Sequence, residues 1–326
     1  MIRNCMWCLA RICAILAATG CGDGTGGVGG AGASGGRGGV GGSSGVGGMS
    51  GGPASGATYR NSLSVCWTDP TCTRVLAVAH GGMWALAGPP YISNAAIVAA
   101  YDGGLDGVKI DVRVTQDNIP VLAHSSPIED FESPDCRGRL IEEMTAAEVT
   151  ACHRFPSMTE TFQRLDDVLE YLRGKMVAQL TVKRSSDYAR TIEELHALGA
   201  EDYAFLEIST SELQDQIPTI PGADSVYYLI NVRSNLSEVD TLLDTINNPR
   251  AFMYEFDPTV DVSMLTATRL HPAGVRSFTY TNAWAPTEPE LQALYEGGYD
   301  VVSSQVAATG VAARQAVNQS RGVAPP

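Results

Sequence analysis

The chain has 326 residues, 35 of them glycine, with 44% hydrophobic and 18% charged side chains and a formal charge of −14. An excess of 36 acidic over 22 basic residues, with a pI near 4.7, excludes a nucleic-acid binder and electrostatic docking on anionic membrane. Nineteen of the glycines fall within residues 22–56, without a three-residue period, which excludes collagen. The remainder, about 270 residues, has ordinary globular composition and suffices for one large domain or two small ones.

Residues 1–21 have the layout of an export signal. Arg3 and Arg11 supply positive charge, and a short apolar run over residues 12–20 ends in small side chains. That run is far below the ~20 residues a spanning helix needs. Ala18-Thr19-Gly20-Cys21 resembles a bacterial lipobox, although Leu16 lies five residues before Cys21 where three is usual. The expectation is an exported protein, periplasmic or at the cell surface, anchored by lipid at Cys21. An ordinary signal cut nearby, giving a secreted form, is the alternative. Residues 22–57 hold one acid, Asp23, and one base, Arg37. They read as a disordered tether with an r.m.s. span of roughly 33 Å.

Beyond the signal, the cysteines are Cys66, Cys72, Cys136 and Cys152. An even number in an exported domain suggests two disulfides, and spacing favours Cys66–Cys72 with Cys136–Cys152, though four cysteines allow three pairings. Among these four no C-x-x-C spacing or nearby histidine pair points to zinc.

Nearly continuous apolar runs predict strands over residues 75–79, 107–112, 176–182, 203–208, 225–230, 251–256, 275–280 and 299–303. Amphipathic stretches over 93–101, 165–172, 188–198, 236–246 and 288–296 predict helices between them. Ser93 and Thr287 read as N-caps, and glycine pairs end both segments. Eight strands alternating with helices predict an α/β protein of the (β/α)8 TIM-barrel type over residues 58–318, followed by a flexible tail over 319–326. An open doubly wound sheet is the alternative, but no G-x-G-x-x-G follows the first strand. In a barrel, chemistry sits at the C-terminal ends of the strands. That rule selects His80, Lys109, Asp111, Lys183, Glu207, Asn231 and Glu255, with His124 in the loop region after the second strand.

Val78-Ala79-His80-Gly81-Gly82, Pro90-Tyr91-Ile92-Ser93, the run from Gly104 through Lys109-Ile110-Asp111 to Thr115, and Asp117-Asn118-Ile119-Pro120-Val121-Leu122-Ala123-His124 carry a resemblance. They resemble the glycerophosphodiester phosphodiesterase family, whose pattern there is A-H-R-G, P-E-N-T, G-A-D-x-I-E-x-D-V-x-x-T and D-G-x-P-V-x-x-H-D. The likeness continues through Arg164-Leu165-Asp166-Asp167-Val168-Leu169, Phe278-Thr279-Tyr280-Thr281-Asn282 and Gly298-Tyr299-Asp300-Val301-Val302-Ser303. The fold implied is the barrel of phospholipase C-like phosphodiesterases, whose relatives include sphingomyelinase D and bacterial phosphatidylinositol phospholipase C.

The resemblance implies phosphodiester cleavage by two histidines, which His80 and His124 match, acting on a small phosphodiester or phospholipid head group. Histidine suits both roles because its pKa lies near working pH. His153, His196 and His271 match no motif and read as structural. The resemblance also implies a divalent cation, Mg2+ or Ca2+, held by four carboxylates. Here those positions are Tyr91, Lys109, Asp111 and Thr181, so three of the four acids are replaced. Gly81 stands for the arginine after the first histidine, and Ser125 for the aspartate after the second.

A hard cation needs several charged oxygens. One account therefore has Lys109, assisted by Lys183, supplying the positive charge, with Asp111 pairing Lys109 or orienting His124. A second has a catalytically inactive barrel that binds a ligand, and a third rebuilds a metal site from Asp111, Glu207 and Glu255. Glycosidase chemistry with Glu207 and Glu255 as the acid pair is a further alternative. Trp84, Tyr91 and Trp284 fall in loops of the predicted active face, as an aromatic wall for a choline or sugar head group or as plain loop packing. A Cys136–Cys152 bond would staple the loop after His124, as in the sphingomyelinase D relatives.

Overall fold

The computed structural model describes residues 62–324, apart from residues 70, 86, 87, 282 and 284. The signal, Cys21, the tether and Trp284 lie outside the described residues.

The strands are β1 (Leu76–His80), β2 (Gly107–Val114), β3 (Pro120–Leu122), β4 (Val177–Val182), β5 (Ala204–Ser209), β6 (Tyr227–Arg233), β7 (Ala251–Phe256), β8 (Arg276–Tyr280) and β9 (Val301–Ser304). Eight of them are parallel, in the order β1-β2-β4-β5-β6-β7-β8-β9, and β9 pairs back on β1 to close a barrel. All eight predicted strands are present. The sequence reading missed β3, which pairs antiparallel with the end of β2 through Val112–Leu122 and Val114–Pro120. Three residues headed by a proline are too short to give a periodic signal.

The principal helices are α1 (Asn94–Asp102), α2 (Ala146–Thr150), α3 (Leu165–Leu172), α4 (Tyr188–Leu198), α5 (Ser237–Asp240), α6 (Glu288–Glu296) and α7 (Ala307–Ser320). Ser93 caps α1 by accepting from the Ala96 N–H, and Thr287 and Glu290 form a capping box on α6, satisfying N–H groups the helix cannot. Helix α7 runs to Ser320, past the boundary expected at residue 318. It buries Arg314 against Asp106 at 2.7 Å, and Asp106 also accepts the Ala77 N–H at 2.8 Å, so the last helix locks onto the first strands. No helix among the described residues is long and apolar enough to cross a membrane.

Strand alternation divides the core in two. Ala77, Ala79, Val108, Ile110, Val112, Ala178 and Leu180 face outward and pack with the helices. Leu76, Val78, Val177, Phe205, Leu229, Met253, Phe278 and Val301 face inward and fill the lower lumen with Leu63 and Trp67. Gly107 is glycine for a steric reason, since a Cβ there would lie 2.9 Å from the Trp67 ring. The Cys66–Cys72 disulfide ties down the segment carrying Trp67, and Cys136–Cys152 closes the excursion after His124. The period of two along a strand places the next inward residue above this apolar plug. His80, Gln179, Glu207, Asn231, Glu255, Tyr280 and Ser303 each follow a plug residue by two positions.

Candidate active site

At the mouth of the barrel, Lys109 and Asp111 are both buried, two residues apart on β2, and their side chains are ion-paired. The Lys183 ammonium, just beyond β4, reaches the same Asp111 oxygen at 2.7 Å. The Tyr91 hydroxyl donates to the other oxygen at 2.8 Å. Burial alone would push the Asp111 carboxyl up, but the two ammonium groups outweigh it and hold the pKa far below the carboxylate range. Burial raises Tyr91 well above its ordinary value, with Asp111 adding to it, so the phenol stays a protonated donor. Lys183 is lowered by burial and by Lys109, against the pull of Asp111.

Both predicted histidines border this cluster. The His80 ring packs on Tyr280 with centroids 4.4 Å apart, and the Tyr91 ring lies 6.0 Å from His80 and 6.1 Å from His124. His124 shares a hydrogen bond between Nδ1 and the Ser125 hydroxyl at 3.0 Å. Burial is the largest cause depressing both imidazoles, and Lys109 and Lys183 add to it while Asp111 opposes. His80 falls well below its ordinary value and His124 to about 4. Without bound anion both are neutral at pH 7.

Tyr91 occupies space that Gly81 leaves free. A Cβ on Gly81, whose φ is +75°, would lie 1.9 Å from the Tyr91 ring. The loss of a side chain at 81 and the gain of a ring at 91 are thus two halves of one change. Ile92, a β-branched residue at φ +53°, holds the turn that aims Tyr91 inward. Its own side chain is fully buried, and its N–H bonds the Gly81 carbonyl at 2.9 Å.

A buried pair absent from the sequence reading fastens the His124 segment and the turn at Tyr91. Glu132 accepts the backbone N–H of His124 at 2.8 Å and of Ser125 at 2.7 Å. Arg154, fully buried 3.8 Å from Glu132, donates to the carbonyls of Tyr91 and Leu122. Arg113 grips the His124 carbonyl at 2.9 Å. Glu132 and Arg154 are 22 residues apart in an irregular excursion, so neither periodicity nor motif spacing marks them. Tyr280, by contrast, was findable by counting two beyond the plug residue Phe278.

The far side of the mouth is built differently. Glu207 accepts from Thr181 at 2.6 Å, Gln179 at 3.0 Å and Asn231 at 3.1 Å, all neutral donors on neighbouring strands. Glu255, 2% exposed, pairs with Arg233, yet burial and nearby Glu207 push its pKa up to about 8. His153, His196 and His271 pair with Asp135, Glu201 and Asp300 away from this cluster, as structural histidines would.

The residues do not fit the implied divalent cation. Asp111 is the one carboxylate left at the four matched positions, and its oxygens already serve two ammonium groups and a phenol. Those ammonium groups would repel a cation. Among the described residues no three histidine, cysteine, aspartate or glutamate side chains converge. Asp111, Glu207 and Glu255 stand in three separate networks, so the rebuilt metal site is not formed.

Of the expected aromatic wall, Trp84 meets the Tyr91 ring edge-on at 5.1 Å and donates to the His80 carbonyl at 2.7 Å. Tyr91 is 9% exposed and bonded inward, and so belongs to the polar cluster more than to a wall. Phe131, which the sequence reading passed over, is exposed and lies 5.7 Å from the His124 ring.

Residues 93–197 match the Glycerophosphoryl diester phosphodiesterase family. No curated protein sequence matches the chain. Among solved structures, a glycerophosphoryl diester phosphodiesterase from Parabacteroides distasonis aligns with TM-score 0.64 and 17% identity, covering 77% of this chain and 90% of that one. A glycerophosphodiester phosphodiesterase from Agrobacterium tumefaciens gives 0.60 and 19% over 73% and 99%. An Oleispira antarctica phosphodiesterase in complex with the product sn-glycerol-3-phosphate gives 0.59 and 20% over 74% and 96%. At these identities the structural likeness speaks for the barrel alone. The matched segment makes residues 93–197 similar to the glycerophosphoryl diester phosphodiesterase family, and the solved structures share the barrel around it.

Proposed function

We propose that the protein is an exported phosphoric diester hydrolase that cleaves a glycerophosphodiester or related phospholipid head group with lysine charge at the position of the family's cation. The carrying observation is the Lys109–Asp111–Lys183 cluster beside two depressed histidines. A phosphodiester brings one negative charge. Set against Lys109 and Lys183, it finds two positive groups and one negative, Asp111, which holds them in register and leaves the cluster a net charge of +1.

The incoming anion raises both imidazoles. His80, neutral, removes the proton from the attacking hydroxyl as its oxygen bonds the phosphorus. The bond from phosphorus to the leaving oxygen breaks with a proton supplied by His124, which the bound anion has protonated. On His124 the Asp111 charge acts more strongly relative to the other contributions. Charge that develops on the non-bridging oxygens meets ammonium groups already in place, an arrangement worth several kcal/mol in a water-poor site. Tyr91 holds the free carboxylate oxygen and prevents Asp111 from turning toward the imidazoles.

The same reading includes the place of action: the signal over residues 1–21, a lipid on Cys21 and the tether would hold the barrel off the membrane. Incorporation of labelled fatty acid that is lost in Cys21→Ala tests the anchor. The activity is tested with glycerophosphocholine, glycerophosphoinositol and lysophospholipids, with and without EDTA, alongside His80→Ala. Turnover that survives EDTA and is lost in His80→Ala is expected. Loss on EDTA would restore a metal, full activity in His80→Ala would remove the base, and no turnover on any substrate would leave a ligand-binding barrel.

A further inference from the structure

Between the ends of β5 and β6 lies a second feature that no part of the acid–base scheme uses. It is a cleft of about 390 Å³ whose seven lining residues all carry a hydroxyl, an amide or a carboxylate. Its floor is Ser209, Thr210, Asn231 and Glu238, and Gln214 and Thr241 stand exposed on its rim. Ser209 and Asn231 are direct partners in the β5–β6 register. The β6 register then slips between Asn231 and Arg233, and Arg233 adopts φ +61°, so the strand turns away immediately past the cleft.

The floor is organised in advance. Thr210 donates to Glu238 at 2.6 Å, and Asn235 donates to the other Glu238 oxygen at 2.7 Å. The Asn231 amide nitrogen is committed to Glu207 at 3.1 Å, which fixes the orientation of the amide, since a flip would set its oxygen against a carboxylate. Its Oδ1 is then a buried acceptor with no partner. The cleft is joined to the cation cluster through the strands that carry both. Glu207 lies two residues before Ser209 and bonds Thr181, and Thr181 lies two residues before Lys183.

The lining chemistry selects the ligand. Neither an aromatic ring nor a cation lines the cleft, which disfavours a quaternary ammonium and a second phosphate alike. Hydroxyls and amides both donate and accept, and they match a molecule whose every edge does the same. We infer that this cleft is a subsite for a polyhydroxylated ring, a sugar or cyclitol, forming one arm of the phosphodiester. The inference rests on the phosphodiesterase reading for the ring's attachment to phosphate, but not for the binding itself.

Two measurements on the whole folded domain test it. Free myo-inositol, methyl β-glucoside and choline chloride are titrated into wild type, into His124→Ala and into Gln214→Ala/Thr241→Val, with ligand-observed NMR as readout. Saturable binding of a polyol to wild type and His124→Ala is expected, weakened about tenfold or more in the rim double variant. The ratio of kcat/KM for glycerophosphoinositol over glycerophosphocholine should fall by about the same factor in that variant. No saturable polyol binding, equal affinity in the rim variant, or choline binding in the polyols' place overturns the subsite. Polyol binding lost in the rim variant without turnover of any diester keeps the subsite and removes the phosphodiesterase reading instead.

Discussion

Asp111 and Glu255 are two buried carboxyl groups on inward positions of barrel strands, and they titrate in opposite directions. Asp111 touches two ammonium groups and a phenol and stays ionised at any ordinary pH. Glu255 has one arginine, itself half in solvent, and faces the charge of Glu207, so it takes up a proton at about 8. Burial is nearly equal in the two, and what separates them is the net charge of the neighbours. One half of the mouth therefore sets two ammonium groups against one carboxylate. The other sets its carboxylates mostly against neutral donors.

The comparison fails most visibly if the cationic half does no chemistry. His80→Ala and His124→Ala should each lower kcat by about 10²–10⁴ with the fold retained by circular dichroism. Equal turnover in both variants would detach the histidines from the reaction.

Lys109→Met should cost about 10²–10³ in kcat. It should also move the pH profile. Both histidines lie below 6.5 in the free enzyme, so kcat/KM should peak on the acid side of that value. Removing the Lys109 charge takes away a depressing influence from both, so the peak should move upward. A peak that stays in place would show that the lysine does not act on the imidazoles.

Gly81→Ala sharpens the link between the two replaced family positions. Its Cβ would enter the Tyr91 ring at a φ of +75°. About 1–3 kcal/mol of stability should be lost, read by urea denaturation. The double variant Gly81→Ala/Tyr91→Ala should lose less than the sum of the two single changes. Strict additivity would mean that the two positions are independent.

The smallest effect belongs to the half built on neutral donors. Glu255 has a folded pKa above its unfolded value, so its contribution to stability is present in full at low pH and is lost as pH rises from 4.5 through about 8. Glu255→Gln removes that dependence. Its Tm relative to wild type should rise by a few degrees between pH 5 and pH 9. A constant difference would place an ionised glutamate in the fold.

Much of this was legible in the chain. The eight apolar runs gave the barrel, Ser93 and Thr287 gave their helix starts, and the strand-end rule put His80, Lys109, Asp111 and Lys183 at one mouth. The cysteine spacing favoured the two bonds that the structure contains. Glu132 and Arg154 were not legible, because they act through backbone carbonyls and N–H groups of distant segments and leave no periodic trace. The role of Tyr91 was also hidden. As a substitution it was plain, but its inward hydrogen bond depends on Gly81 and on the strained turn at Ile92.

The sequence by itself determined the topology and which side chains share the mouth, since a period of two along each strand leaves little choice about which residues face inward. Only the tertiary structure decided what those side chains are. A carboxyl at a strand end becomes a fixed anion, a nearly neutral acid or a hydrogen-bonded strut according to the charges beside it. Asp111, Glu255 and Glu207 received their neighbours from strands and loops far away in the chain.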